Sequence, residues 1–218
     1  MSVRNAKRLI IVGAGGLGRE IFMFAERHPD CGSRWQMGGF LDDSPGALSG
    51  LDYPVGIIGS IRDYQPQDDD LFLPGLGKPQ VRRHCCETLL KRGASFVSLI
   101  HPAAIVGRNI QMGQGIVMFP NANVTCDARI GDFTMMLSTA VAAHDTTIGN
   151  YCQISMGCDV MGAVELGTEV FLGSGARITP GIKIGAGAIV GAGCVVTRNV
   201  EPGQTVFGSV ARPLPEKR

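Results

Sequence analysis

The sequence predicts two units: a small parallel α/β domain in residues 1–99 and a parallel β-helix in residues 100–198, with a tail at residues 199–218. Three observations predict them. Strand and helix patterns alternate in the first unit, a glycine-rich turn follows its first strand, and a small or aliphatic apolar residue recurs at every sixth position of the second. A six-residue period fits neither a helix nor the loose strands of a β-sandwich.

Short apolar runs define the elements of the α/β domain. The run at residues 9–12 predicts a buried strand, which leads into a glycine-rich turn at residues 13–20 and a helix that ends near residues 28–29. Further strands are predicted at residues 39–41, 71–73 and 95–99, and a second helix at about residues 80–91. Alternating strands and helices are typical of a parallel sheet.

The turn after the first strand has a nucleotide-binding pattern. Gly13, Gly15 and Gly18 satisfy G-x-G-x-x-G, which lets backbone N–H groups approach a phosphate at the N-terminus of the next helix. Asp42 ends the second strand, where a carboxylate can accept hydrogen bonds from ribose. About 95 residues make half of a doubly wound fold, which favours one nucleotide over a dinucleotide. A tight turn without a ligand is the alternative.

The six-residue period of the second unit runs through seventeen hexads without a slip. Three hexads close one triangular coil, and the repeated residue points into the prism. Its members are Ile100, Val106, Met112, Met118, Val124, Ile130, Met136, Ala142, Ile148, Ile154, Val160, Leu166, Leu172, Ile178, Ile184, Val190 and Val196.

Two more hexad positions support the coil. Four residues after the aliphatic comes a mostly small residue that fits a second inward position, and this column includes Cys152, Cys158 and Cys194. A glycine recurs every eighteen residues, which predicts one corner of the coil where the backbone takes a positive φ. These glycines are Gly113, Gly131, Gly149, Gly167 and Gly185.

Composition and charge exclude several classes of protein. A net charge of +1 without a run of Lys or Arg argues against nucleic acid as the main partner. No signal-peptide pattern opens the chain and no apolar run is long enough to span a bilayer, so we expect a cytoplasmic protein. The seven cysteines have no metal-like spacing, which predicts free thiols and no metal site.

Residues 100–211 resemble the left-handed β-helix acyltransferases of the hexapeptide-repeat family, which implies the hand of the coil. With the glycine-rich turn, Phe-Leu-Asp-Asp at residues 40–43 and a glycine turn at residues 74–77, nearly the whole chain resembles the PglD/NeuD group of sugar O- and N-acetyltransferases. The resemblance implies that the half-Rossmann N-terminal domain holds the nucleotide of a nucleotide-linked sugar. The implied contacts are Gly13, Gly15 and Gly16 to phosphates, Asp42 and Asp43 to uridine or ribose, and Gly77 to the floor of the site. Leu17 replaces a histidine of many members.

His144 is the candidate catalytic residue. It follows an inward position by two residues, so it should project outward from the prism. Its segment, Ala-His-Asp-Thr-Thr-Ile-Gly-Asn-Tyr, resembles the family motif His-(Asp/Glu)-x-x-Ile-Gly-(Asp/Glu), in which the histidine is the general base. Imidazole, with a pKa of about 6.5, can take a proton from a nucleophile at neutral pH. Asp145 can orient the ring as the acid of a triad does, and a second carboxylate is the alternative.

The eighteen-residue repeat places Gly162 one coil after His144, roughly 5 Å away along the prism. Its N–H could bind the thioester carbonyl as negative charge develops there. The other histidines, His28, His84 and His101, are predicted to have surface, helix-face and domain-junction positions.

The family resemblance implies acetyl-CoA as the donor, lying in a groove between two prisms. Gly173 and Gly191 would allow its close approach. Gln153 stands where the family often has a second histidine, and it can hydrogen-bond but not share proton transfer. Arg212 follows a Gly-Ser-Val-Ala stretch that departs from the family's Gly-Asn-Pro-Ala, and it is predicted to lie near the cofactor phosphates.

These features together predict an enzyme that N-acetylates a UDP-linked amino sugar for surface glycan biosynthesis. O-acetylation of a sugar such as sialic acid is an alternative, as is a non-catalytic nucleotide-binding scaffold. A carbonic anhydrase on the same prism would need three histidines around a metal, and only His144 lies within the coils. The outward faces carry Met135 and Phe171, which favours a homotrimer with three active sites between subunits.

Overall fold

The computed structural model describes residues 6–208 and begins with a four-stranded parallel sheet in the order β3-β2-β1-β4. The elements are β1 Lys7–Val12, α1 Gly16–Glu26, β2 Trp35–Leu41, β3 Ile57–Gly59, β4 Asp70–Pro74 and α2 Pro79–Leu90. The predicted α/β domain is therefore present, with the strands longer than predicted at most ends. The three-residue strand β3 was not predicted, because its Ile-Ile-Gly segment is too short to form a recognisable pattern.

The two helices pack on opposite faces of the sheet because side chains alternate along β1. Leu9 and Ile11 pack in one cluster with Ile21 and Phe22 of α1. Ile10 and Val12 belong to a second cluster, which contains Cys86 and Leu89 of α2. Both faces of this parallel sheet are thus covered, which is the usual arrangement for βαβ units.

The last predicted strand of the α/β domain is divided between the two units. Within residues 95–99 only Phe96 pairs with the sheet, through a single bridge to Phe72 of β4. Leu99 already belongs to the solenoid, because strand β5, Leu99–Ile100, pairs with Val117 and Met118. The prediction of a five-residue strand here was therefore wrong.

The second unit is a parallel β-solenoid with three sheets of short strands. Sheet I contains β5 Leu99–Ile100, β8 Val117–Met118, β11 Met135–Met136, β14 Gln153–Ile154, β17 Phe171–Leu172, β20 Ile189–Val190 and β22 Thr205–Val206. Sheet II contains β6 Ile105–Arg108, β9 Asn123–Cys126, β12 Val141–Ala142, β15 Asp159–Val160, β18 Arg177–Ile178 and β21 Val195–Val196. Sheet III contains β7 Gln111–Met112, β10 Arg129–Ile130, β13 Thr147–Ile148, β16 Glu165–Leu166 and β19 Lys183–Ile184.

The inward positions of the prism are those that the six-residue period predicts. From Met118 to Val196 every member of the aliphatic column is buried, and the small column beside it is buried as well. Cys152, Cys158 and Cys194 lie inside as predicted, where burial raises the pKa of the Cys152 thiol to about 12. At the N-terminal end, Val106 is 42% exposed because β6 has a strand on one side only.

Between residues 109 and 193 of the solenoid, the residues with positive φ form a column that differs from the predicted one. They recur at every sixth position from Asn109 to Gly193, three residues after each inward aliphatic, and this column includes Phe133, Asp145 and Tyr151. The glycines spaced by eighteen residues do not have positive φ. They are glycine because the next coil is close: a Cβ on Gly149 would lie 2.7 Å from the backbone of Gly167 and Thr168. The predicted reason for these glycines was wrong, although they do mark one corner.

The solenoid continues beyond the predicted end at residue 198. Val190 pairs with Val206 of β22, and Ile184 bridges to Val200. Both partners are sixteen residues away, so the last coil is two residues shorter than the others. This shortening ends the six-residue phase after Val196 and explains why the pattern did not reveal the final strand.

The α/β domain covers the first strands of sheet I. Val117 and Met135 are fully buried in one cluster with Leu9 and Phe22, so the predicted exposure of Met135 on a free face was wrong. Farther along the same sheet, Phe171 is partly exposed and Ile189 is 40% exposed. The described residues contain no helix long and apolar enough to cross a membrane, and all seven cysteines are free thiols.

Two glycine substitutions distinguish the two reasons for glycine in the solenoid, which are lack of space for a Cβ and a positive φ. Gly149→Ala places a methyl group against the next coil and should cost about 3 kcal/mol. Gly187 has φ +69° and open space around a Cβ, so Gly187→Ala should lower the free energy of unfolding by about 1 kcal/mol. Urea unfolding midpoints of the two variants measure the difference. Equal shifts would contradict the role assigned to the eighteen-residue glycine column.

Candidate active site

The glycine-rich turn brings α1 close to the end of β1. A Cβ on Gly18 would lie 1.9 Å from the carbonyl oxygen of Gly13, so the helix can pack here only with glycine. Gly13 has φ +103°, and a Cβ there would meet the side chain of Leu76 at 2.6 Å. These two glycines are therefore required by the fold itself.

Gly15 and Gly16 differ because the protein does not crowd them. Nothing lies within 4 Å of a Cβ on Gly15, and only the Arg19 guanidinium approaches that of Gly16, at 3.9 Å. Both are exposed at the N-terminus of α1, where Gly15 is an N-cap without a side-chain hydrogen bond. In the described chain no acceptor binds the N–H of Gly16 or Leu17. This end of α1 has the free N–H groups and the room that a phosphate requires.

The two predicted acidic residues at the end of β2 have different environments. Asp42 binds backbone N–H groups with both carboxylate oxygens, Oδ2 to Ala14 at 2.8 Å and Oδ1 to Ser44 at 2.9 Å. It therefore holds the glycine-rich turn in place, a role that the sequence did not predict. Asp43 is exposed, and its Oδ1 accepts a hydrogen bond from the N–H of Arg62 at 3.2 Å.

The second glycine turn lies beside the first. Gly77 follows β4, which neighbours β1 in the sheet, and a Cβ on Gly77 would lie 3.5 Å from Cδ2 of Leu17. The two turns thus share the carboxyl edge of the sheet, where ligands of open α/β folds bind.

His144 and Asp145 form a hydrogen-bonded pair on the prism. His144 Nδ1 lies 2.8 Å from Asp145 Oδ2, and each side chain is 63% exposed. The pair lies at the corner between β12 and β13. We call this the His144 corner; it comprises residues 143–145 and the residues that stack on them, 125–127 and 161–163. Neighbouring side chains usually diverge on extended backbone. Here Asp145 has φ +59°, and this turn of the backbone accompanies the meeting of the two side chains.

Gly162 forms a floor under the imidazole. A Cβ on Gly162 would lie 2.5 Å from His144 Cε1 and 2.6 Å from Nε2, so only glycine leaves room for the ring. Within residues 6–208 the N–H of Gly162 has no hydrogen-bond acceptor. The sequence placed Gly162 next to His144 correctly, but it did not reveal that the ring needs the missing side chain.

The preceding coil contributes two residues that sequence reasoning missed. Cys126 and Asp127 stack on His144 and Asp145 from the side opposite Gly162, and the N–H of Asp145 donates to the carbonyl of Cys126 at 3.3 Å. The hydrogen bond from Asn109 Nδ2 to Asp127 at 2.8 Å lowers the pKa of that carboxyl, and nearby His144 contributes. Subtracting eighteen from the number of each catalytic candidate would have identified both residues.

Gln153 lies elsewhere, in β14 of sheet I under the α/β domain. Its side chain is 2% exposed, and Oε1 accepts a hydrogen bond from Arg82 Nη1 at 3.0 Å. The prediction that the Gln153 side chain contacts the cofactor is therefore wrong, because that side chain is buried and bound to Arg82. The sequence did not reveal this interaction, since Arg82 lies seventy-one residues away.

Two predicted cofactor-binding glycines lie at the corner between sheets I and II. A Cβ on Gly173 would lie 2.6 Å from the N of Ala192, and one on Gly191 would lie 2.8 Å from Cβ of Phe207. Contact between coils thus accounts for both glycines. A single chain does not bring them to His144, which occupies another corner. Arg212 lies outside the described residues.

Comparisons with known proteins agree with both halves of this geometry. Residues 8–89 match the model of the PglD N-terminal domain, and residues 145–180 and 164–198 match that of the bacterial transferase hexapeptide, six repeats. A GDP-perosamine N-acetyltransferase from Escherichia coli O157:H7 is 30% identical over 158 residues, which cover 71% of this chain and 70% of the relative. The chain belongs to the hexapeptide-repeat sugar N-acetyltransferases with a PglD-type N-terminal domain.

Two further similarities extend this assignment within the sugar N-acetyltransferases. A UDP-N-acetylbacillosamine N-acetyltransferase from Bacillus subtilis is 34% identical over 116 residues, which cover 51% of each protein. PerB from Caulobacter crescentus, solved with CoA and GDP-perosamine, is 27% identical with a TM-score of 0.82, covering 95% of this chain and 97% of PerB. The Caulobacter enzyme has also been solved with one histidine replaced by asparagine or alanine.

The remaining histidines of this sugar N-acetyltransferase have other surroundings. His28 Nε2 lies 3.2 Å from the carbonyl oxygen of Ile100, and the His28 ring stacks on Trp35. His101 packs edge-on against Phe24 where the solenoid begins, and burial lowers the pKa of its imidazole. His84 is exposed on α2. The described residues contain no cluster of side chains suited to a metal ion.

We expect Gly162→Ala to displace the imidazole, because the new methyl group would overlap its present position. The crystal structure of the variant should have His144 Nδ1 and Asp145 Oδ2 more than 3.5 Å apart. Gly181→Ala, in the next coil at the same corner, is the control: its φ of +72° makes the substitution cost stability, but nothing lies within 4 Å of its Cβ, so it should keep the 2.8 Å bond. An intact bond in Gly162→Ala would contradict the floor assigned to Gly162.

Proposed function

We propose that this enzyme transfers the acetyl group of acetyl-CoA to the amine of a nucleotide-linked amino sugar. His144 acts as the general base, and Asp145 orients it. The observation that carries the proposal is the His144–Asp145 pair packed against Gly162, whose N–H has no acceptor in the described chain. The relatives that act on GDP-perosamine and UDP-N-acetylbacillosamine support this class of acceptor, with either nucleotide base.

The hydrogen bond to Asp145 assigns the tautomer of His144. A carboxylate can only accept, so Nδ1 carries the proton and Nε2 presents its lone pair. As the sugar nitrogen attacks the thioester carbon, Nε2 takes a proton from that nitrogen. The resulting imidazolium, stabilised by Asp145, then gives the proton to the departing sulfur. The base thus returns to its starting state at the end of the cycle.

Gly162 completes the chemistry at the His144 corner. Acetyl-CoA supplies the acetyl group as a thioester, whose oxygen gains negative charge when the carbonyl carbon is attacked. Gly162 lies next to the ring, and its N–H has no acceptor in the described chain, so it is available to donate to that oxygen. A backbone donor needs no reorganisation, which suits this role.

The α/β domain, which ends before Leu99, is the proposed acceptor-binding unit. Gly15 and Gly16 at the end of α1 contact the phosphates, Asp43 and the Gly77 turn contact the rest of the acceptor, and Gly13 and Asp42 maintain the turn. The uncrowded surface at Gly15 and Gly16 supports this assignment. The solenoid, which runs from Leu99 to at least Val206, forms the proposed acyltransferase unit, and Arg212 beyond it binds the phosphates of CoA.

The proposed active enzyme is a cytoplasmic homotrimer of left-handed prisms, with acetyl-CoA between subunits near Gly173 and Gly191. Two observations support assembly. The His144 and Asp145 side chains are each 63% exposed, whereas acyl transfer is helped by excluding water. Apolar side chains are also exposed on the prism, Met156 at 54% and Val195 at 62%. The free cysteines are consistent with a reducing compartment.

Release of thiol from acetyl-CoA, measured against GDP-, UDP- and dTDP-linked amino sugars and free sialic acid, tests the reaction. We expect at least one nucleotide-linked amino sugar to be acetylated on nitrogen. His144→Ala should lower kcat by about 10²- to 10⁴-fold, because it removes the base. His84→Ala is the matched control, since that histidine is exposed on α2 away from the pair. Full activity of His144→Ala would overturn the proposed mechanism, and acetylation of sialic acid alone would favour the O-acetyltransferase.

Sedimentation equilibrium tests the assembly. We expect a species of three times the 23.0 kDa chain mass, because an exposed catalytic pair needs a second prism to enclose it. Val195→Asp places a charge on an exposed apolar position and should weaken the trimer and acetyl transfer together. A fully active monomer is the result that would refute the homotrimer.

A further inference from the structure

Arg82 of α2 is the most thoroughly buried charged side chain of the described structure. It is 0% exposed, and no carboxylate pairs with it in residues 6–208. Burial lowers the pKa of its guanidinium to about 10, so the group keeps its charge at neutral pH. A buried cation without a counter-ion is costly, so its partners must explain why it is there.

Five oxygens from both units of the chain lie within 3.0 Å of the guanidinium nitrogens, and the Met135 Sδ and the Gly77 carbonyl oxygen are farther, at 3.4 and 3.5 Å from Nη1. On the solenoid, Nε donates to the carbonyl of Phe133 at 3.0 Å, and Nη2 donates to the carbonyls of Tyr151 at 2.8 Å and Cys152 at 2.9 Å. Nη1 donates to Gln153 Oε1 at 3.0 Å and to the carbonyl of Leu76 at 2.7 Å. The five N–H groups of arginine thus match the five nearest acceptors.

The bond to Leu76 sets the orientation of the second glycine turn. In a trans peptide the carbonyl and the following N–H point in opposite directions, and the described chain has no cis peptide bond. Because the Leu76 carbonyl points at Arg82, the N–H of Gly77 points away from it. The Gly77 carbonyl is also turned towards Arg82, at 3.5 Å from Nη1, which turns the N–H of Lys78 the same way.

Both N–H groups belong to the turn that follows β4, so they lie at the carboxyl edge of the sheet and point away from Arg82. Gly77 lies next to Leu17 in the first turn of α1, and neither N–H has an acceptor in the described part of the chain. The free N–H groups of both turns therefore lie along one edge, where Gly15 and Gly16 leave room for a ligand.

We propose that Arg82 is a positioning residue for the nucleotide-linked acceptor. It holds the Gly77 turn with its N–H groups directed at the acceptor, and it ties that turn to the solenoid through Phe133, Tyr151 and Gln153. The acceptor domain is thereby fixed relative to the prism that carries His144. This inference rests on the proposed function, because it assigns the acceptor to the carboxyl edge of the sheet.

Titration calorimetry of the full-length protein with UDP, GDP, dTDP and CoA tests the inference. We expect Arg82→Met to raise the Kd of the bound nucleotide by about tenfold or more, since the Gly77 turn loses its charged donor, and to leave the Kd of CoA within about twofold. Arg82→Lys should raise it less, because lysine keeps the charge without the planar fork. Arg83→Met is the matched control: this neighbour is exposed and pairs with Glu87 and Glu169, so both Kd values should stay unchanged.

A second comparison separates positioning from stability in case Arg82→Met does not fold. Gln153→Leu removes one bond on the solenoid side and leaves the Leu76 bond intact. It should lower the thermal midpoint without raising the nucleotide Kd, whereas Arg82→Lys should raise that Kd. A purely structural role for Arg82 would move both variants in the same way, and that result would overturn the inference.

The outcomes also separate this inference from the proposed reaction. One outcome is that the wild-type protein binds a nucleoside diphosphate and Arg82→Met has the expected effect, but no acetyl group is transferred. This would refute the reaction and leave the inference intact. Acetyl transfer by wild type with an unchanged nucleotide Kd in Arg82→Met would refute the inference alone. Wild-type protein that binds none of the three nucleotides would refute the inference and the nucleotide-linked acceptor together.

Discussion

Backbone hydrogen bonds between successive coils are the constraint on which the rest of the molecule depends. Each coil places its peptide groups opposite those of the next, so a residue's neighbours along the prism are those about eighteen positions away. The spacing leaves no room for a Cβ at one corner position and demands a positive φ at another. Side chains that extend from these corners are therefore held by backbone geometry, which is a rigid support for chemistry.

The residues of the positive-φ column have three kinds of surroundings. At the His144 corner it carries Asp145, and there the carboxylate meets the neighbouring imidazole. At the corner between sheets III and I it carries Phe133 and Tyr151, whose stacked rings pack against the α/β domain while their carbonyls bind Arg82. Elsewhere it is mostly glycine or asparagine, which adopt this conformation at little cost, and the other members are Asp127, Thr139, Ala163 and Glu169. The largest side chains of the column contact the other unit: Phe133 and Tyr151 pack in its cluster, and Glu169 pairs with Arg83 of α2.

Repeating features of the structure were predictable, whereas features that join distant segments were not. The period located the inward residues and brought Gly162 to His144, because a coil repeats the same contacts many times. The period could not distinguish glycines that leave room for the next coil from glycines that adopt a positive φ, since both requirements select the same residue. Arg82 was missed because its partners are mostly backbone carbonyls, which leave no trace in side-chain patterns. An arginine on the apolar stripe of α2, with Cys86 and Leu89, was the only sequence signal.

The imidazole resting on Gly162 has a consequence for how such sites are recognised across sequences. The imidazole of a histidine at this corner can adopt the position seen for His144 only when the residue eighteen positions later has no side chain. The pair His-x₁₇-Gly is therefore a search pattern with a steric meaning, and it can be applied to any solenoid of the same coil length. A chain that keeps the histidine but carries a bulkier residue at the second position must hold its ring elsewhere, which marks a corner whose chemistry has changed.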